Sequence, residues 1–172
     1  KCSNRTADLP HEDESSLDAA GGSRHFLVAP GGSLRLIGIG LVNGRSLMSG
    51  GGSILLLPNA TLEATDVAFV RNRALFGSGG AIAARGATLA LSRVVFEANE
   101  ATWRGGGLSM LSMVGSDQGD GDGERAHGHA NARLQQVRWL GNAAARGADD
   151  AMLSNGAELL PLPEGSEAEV QT

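Results

Sequence analysis

Apolar and polar residues alternate in short bursts along this chain: Leu89, Leu91, Val94 and Phe96 in one stretch, Leu134, Val137 and Trp139 in another. A period of two predicts strands of about three to five residues, each with one buried and one solvated face. Gly, Asn and Ala separate the bursts. Helical spacing fits poorly, and the paired glycines would each cost about 1 kcal/mol inside a helix.

The bursts recur. Residues 33–54, 60–82, 87–108 and 132–152 align at a spacing of about 27 residues once an extra stretch, residues 115–131, is set aside. The bulky position is Leu41, Phe69, Phe96 and Trp139; three residues on stand Gly44 (beside Asn43), Asn72, Asn99 and Asn142. Such a unit winds into a coil, and coils stacked in parallel give an all-β solenoid, a parallel β-helix, whose repeats bury their faces only against their neighbours. Phe69, Phe96 and Trp139 are then expected in one inward stack, about 4.8 Å apart, with Leu41 as its first member. Asn72, Asn99 and Asn142 fall at one corner, where Asn tolerates a left-handed backbone and its amide reaches the next coil. Gly79-Gly80 and Gly105-Gly106 mark a second corner, where φ is positive or backbones crowd. Ile54, Ile82 and Leu108 re-enter the core after it.

The pairing of Phe-x-x-Asn with Gly-Gly-Ala-Ile, as in FVRNRALFGSGGAI from Phe69 and FEANEATWRGGGL from Phe96, resembles the repeats of polymorphic outer-membrane proteins, found also in eukaryotic and algal surface proteins. The likeness covers residues 32–153. The first copy lacks the aromatic and the in-register Asn; the last has Trp for Phe, and Asp149-Asp150 in place of the glycine pair. The resemblance implies a right-handed β-helix, here of about four to five coils. It also implies a cell-surface, adhesive or passenger role without catalysis. The fold itself hosts both lyases and inert stalks.

Residues 1–23 are polar and acidic and read as a linker or N-terminal arm; residues 24–160 as the β-helix; residues 161–172 as an acidic tail. A first strand is expected after His25 and a last one at residues 158–160, before Pro161 and Pro163 stop ladder pairing. Residues 115–131 should leave the stack and return with their ends close, since loop closure grows only slowly with length. Exposed strand edges at the ends point to a partner or further chain that covers one of them.

A net charge of −5, with Lys1 the only lysine, leaves no clustered basic footprint for nucleic acid. Cys2 is the only cysteine, so it is a free thiol or half of a bridge to something else. The triplets NRT at Asn4 and NAT at Asn59 are glycan acceptors in an exported protein. They suggest an extracellular or cell-surface setting, with the lumen of an organelle as the alternative. No apolar run reaches the length of a membrane span. Lys1 in place of Met, without a charged-then-apolar leader, suggests a processed chain or a piece of a longer one.

Two clusters invite chemistry. Asp117, Asp120, Asp122 and Glu124, among glycines, are oxygen ligands of the type Ca²⁺ needs, but without the twelve-residue spacing and closing Glu. His127 and His129 would serve zinc or nickel only beside a third ligand. A solvated loop without cofactor is the first reading and calcium the weaker alternative. Asp149-Asp150 resembles the carboxylate pair of pectin-cleaving β-helices. The Asn-Thr-Asp run of those enzymes is missing, however, and HGH precedes the pair. There is no Gly-x-Ser-x-Gly, P-loop or Cys–His pair. The expected function is a non-catalytic β-helical module that presents an extended surface to a protein or glycan partner, at a cell surface or in a larger assembly. A carbohydrate-active β-helix enzyme and an accessory subunit of an organellar complex are the alternatives. Arg71, Arg73, Glu97, Glu100 and Arg138 are candidate outward residues, either for binding or for ion pairs between coils.

Overall fold

The computed structural model describes residues 15–113, 129–154 and 158–159, and these hold sixteen strands and no helix. The chain runs through β1 (Ser16–Asp18), β2 (Phe26–Val28), β3 (Ser33–Ile37), β4 (Gly40–Val42) and β5 (Arg45–Ser46). It winds on through β6 (Ile54–Leu56), β7 (Thr61–Val70) and β8 (Arg73–Ala74), then β9 (Ile82–Arg85), β10 (Thr88–Glu97) and β11 (Glu100–Ala101). β12 (Leu108–Leu111), β13 (Asn131–Leu140), β14 (Ala143–Ala144), β15 (Ala151–Ser154) and β16 (Glu158–Leu159) complete it. All pairings are parallel and fall into three sheets, ordered β1-β4-β7-β10-β13-β16 with β3 also on β7, β14-β11-β8-β5, and β15-β12-β9-β6-β2. This is an all-β solenoid of about three turns.

One backbone feature shapes each long strand. Gly38, Asp66, Arg93 and Gln136 have φ of 60°, 55°, 51° and 51° and sit opposite one another from coil to coil. A left-handed residue there shifts the side-chain alternation by one. Leu62, Ala64, Val67 and Phe69 therefore all face inward, as do Leu89, Leu91, Val94 and Phe96. The three-residue step inside each burst is this bend.

The register is Leu41↔Phe69, Phe69↔Phe96 and Phe96↔Trp139. Leu41, Phe69 and Phe96 are fully buried, and the rings stack at centroid separations of 5.0 and 4.5 Å. Near-parallel stacking is forced by the ladder, which repeats one rotamer at the spacing of strands. A smaller cluster of Val42, Ala68 and Val70 lies apart from this core.

Two boundaries differ from the sequence expectation. Ser16–Asp18, assigned by composition to the arm, forms β1 against Gly40–Val42. Its side chains are exposed, so a polar sequence suffices for a strand held by main-chain bonds. Asn131, at the margin of the extra stretch, opens β13. The main-chain N–H of Ala130 reaches Ser112 Oγ at 3.4 Å, so the two ends of the excursion meet. The last strand spans Glu158–Leu159 and pairs with Asn131–Ala132.

Candidate functional site

The asparagines form a continuous buried ladder. Asn99 Oδ1 accepts from the main-chain N–H of Asn72 at 2.9 Å and from Asn72 Nδ2 at 3.0 Å. Asn142 Oδ1 accepts from Asn99 in the same way, at 3.1 and 2.9 Å. Each Nδ2 also donates to the carbonyl of the previous coil's stack residue: Leu41, Phe69 or Phe96.

The ladder ends on a main-chain N–H at one side and on carboxylates at the other. At the first, Gly44 donates its N–H to Asn72 Oδ1 at 2.8 Å. A Cβ on Gly44 would sit 2.7 Å from that oxygen and 2.8 Å from His25 Nδ1, so the imidazole fills the space that an asparagine side chain would need. His25 Nε2 lies 2.9 Å from the Leu17 carbonyl and must donate to it, leaving Nδ1 to accept from Ser53 Oγ at 3.0 Å. Burial pushes the His25 pKa below its ordinary value, against the opposing effect of the Leu17 carbonyl. At the other end Asp150 Oδ1 accepts from Asn142 Nδ2 at 3.1 Å, and Asp149 Oδ1 accepts from the Ala144 N–H at 2.9 Å.

That geometry corrects the alignment of the last copy. Leu108 pairs with Ala151, so Ala148 and Asp149 stand opposite Gly105-Gly106, and Asp150 stands opposite Gly107. Ala148 keeps the positive φ, 53° against 62° at Gly105. Gly106 has to be glycine because a Cβ there would meet the Ala143 main chain at 2.6 Å. Asp149 is exposed, with no described coil packed on it, and so carries a side chain.

The remaining candidates are dispersed. Asn59 is exposed in a turn at φ 61°. Asn4, Cys2, Asp117, Asp120, Asp122, Glu124 and His127 lie outside the described residues, and His129 is exposed. Among the described residues no group of three or more His, Cys, Asp or Glu side chains converges as metal ligands would. Arg73 and Glu100 pair with each other across coils at 2.8 Å, and Arg71 Nε donates to Asn43 Oδ1 at 3.3 Å. Arg35–Glu63 at 3.6 Å and Arg93–Asp66, bidentate at 2.6 and 2.8 Å, repeat the pattern. The Arg93 guanidinium holds the Asp66 carboxyl below its usual range. Exposed pairs of this kind contribute well under about 1 kcal/mol each.

A site the sequence reading missed lies on the outer face of the third sheet. The turns that follow β5, β8 and β11 carry Met48, Phe76 and Trp103, exposed by 72%, 65% and 49%. With Leu47 they wall a groove of about 960 Å³ whose floor includes Ala83, Ser109 and Met152. Arg85 lines it as well. A signal was present: a bulky apolar residue four positions after Gly44, Asn72 and Asn99, where a solvated corner needs none. Arg146 holds that position in the last copy. No family model matches the chain, and neither a curated protein nor a solved structure matches it.

Proposed function

We propose that the chain is a non-catalytic, right-handed β-helix of about four to five coils, related to the polymorphic outer-membrane repeat. In this reading it works by association, at a cell surface or in a larger assembly. The strong preference of parallel crossover connections for the right-handed sense supports the handedness, and the five strands of the third sheet support a coil count above three. An exposed Asn59 suits a glycosylated, exported protein. The partner surface is the groove of Leu47, Met48, Phe76 and Trp103, with a protein or glycan as the macromolecular partner.

One observation carries this reading: bulky apolar side chains stand exposed at the same offset on successive coils, where folding gains nothing from them. Contiguous apolar surface of this kind marks binding sites on soluble proteins. The carboxylates best suited to hydrolysis, Asp149 and Asp150, accept hydrogen bonds from their own coil. The test has two arms. The purified chain should release no sugar from a panel of plant and algal polysaccharides, and a neutral apolar dye should bind it and be lost on Phe76→Ser with Trp103→Ser. Sugar release abolished by Asp149→Asn and Asp150→Asn, or dye binding untouched by the double serine variant, contradicts the proposal.

A further inference from the structure

Two arginines with no counter-charge among the described residues brace one margin of the groove: Arg85 lines it, and Arg24 stands behind its turn. Arg24 Nη2 donates to Ser46 Oγ at 2.8 Å and to the Met48 carbonyl at 3.0 Å, and Arg85 Nη2 donates to the Ser49 carbonyl at 2.9 Å. Both guanidiniums thus hold the short turn that presents Leu47 and Met48. Arg35, Arg73 and Arg93 each meet a carboxylate of the neighbouring coil, but among the described residues none reaches Arg24 or Arg85. Arg24 Nη1 is buried and has no hydrogen-bond partner among the described residues. Burial lowers the Arg24 pKa from its ordinary value, and the nearby Arg85 charge lowers it further. The chain as a whole carries −5, so this margin is a local cationic spot on an acidic protein.

An apolar trough with cations at one margin fits a ligand with an apolar body and an anionic head. The volume of about 960 Å³ lies within the range of small-molecule pockets. Guanidinium forks match the two oxygens of a carboxylate. Resting on the groove as the binding surface, we infer that it takes a single long-chain carboxylate. The alkyl tail lies along Phe76, Trp103 and Met152 across the coils, and the head is received by Arg85 with Arg24 behind it.

Competition against Nile red, a neutral apolar dye, tests this on the full chain. Dodecanoate should displace the dye roughly tenfold better than dodecanol, the worth of one charge-assisted contact. Arg85→Met should bring the affinity ratio of dodecanoate to dodecanol from about ten down toward one, whatever it does to the affinity of the dye itself, and Arg85→Lys should recover part of that ratio. Equal displacement by dodecanoate, dodecanol and dodecyltrimethylammonium overturns the ligand assignment and leaves the groove standing, as does indifference to Arg85→Met. Binding to anionic phospholipid vesicles without competition by monomeric dodecanoate also overturns it, in favour of a membrane surface. Failure of the dye to bind at all overturns the groove reading itself.

Discussion

Replacing Asn99 by Leu isolates the contribution of the polar ladder. Asn99 is fully buried at the middle of the ladder, and Leu keeps its approximate volume while deleting four hydrogen bonds. Asn142 Oδ1 retains the Asn99 main-chain N–H, and Asn72 Nδ2 retains the Leu41 carbonyl. What loses its partner is the main-chain N–H of Asn72 and the second proton on its Nδ2. Two buried donors at about 1–3 kcal/mol each give about 2–6 kcal/mol. Urea unfolding followed by circular dichroism should show the unfolding free energy falling by that amount, as a lower midpoint at an unchanged slope. Asn99→Asp makes the complementary case. It keeps the acceptor but sets a second oxygen against the Phe69 carbonyl and Asn142 Oδ1. Its deficit at neutral pH should shrink on acidification, when the carboxyl regains a proton to donate. An Asn99→Leu chain within about 0.5 kcal/mol of the parent, the range of inert surface changes, would refute the reasoning.

Phe96→Ala opens a cavity bounded by Phe69 and Trp139 and should cost about 3–5 kcal/mol in the same assay. Gly106→Ala drives a Cβ into the Ala143 main chain at 2.6 Å, and thermal unfolding should show a loss beyond the roughly 1 kcal/mol typical of point changes. Because burial depresses His25, the native state binds its proton less readily than the unfolded chain. Its contribution is present above the ordinary value of 6.5 and is lost as pH falls from there toward the native value; that part of the decline, which lies above the range where Asp18 and Asp66 add theirs, should be absent in His25→Gln. Excising residues 115–128 with a short glycine bridge should barely move the melting temperature, since Ser112 and Ala130 already meet.

What was legible in the sequence was whatever repeats once per coil and faces inward. Phe69, Phe96, Trp139 and the three asparagines recur because each coil is the mould for the next, so packing writes itself as a period. What was illegible follows from the absence of that constraint. Ser16–Asp18 joins an edge through its backbone, and its exposed side chains carry no apolar pattern. Asp149-Asp150 looked like a substituted glycine pair because letters align without regard to which positions a neighbouring coil crowds. The groove escaped because Met48, Phe76 and Trp103 stand in the turns that follow the two-residue strands, outside the inward alternation. Their exposure depends on which way the turn points, and no alternation records that.

The two aspartates at the last corner have a consequence for how the molecule behaves in a crowd of its own copies. A parallel solenoid differs from a cross-β fibril mainly in stopping: each coil is a template for another about 4.8 Å away. Here the Ala144 N–H and the Asn142 amide, the groups an incoming strand would seek, are already bonded to carboxylates of the same coil. A second molecule arriving at that corner must evict two charged acceptors before it gains a single rung. Among the described residues, that corner therefore offers an incoming strand bonded carboxylates in place of bare donors. Exchanging Asp149 for Gly and Asp150 for Ala would restore the crowdable glycine and bare the donors, converting a terminator into a growth face.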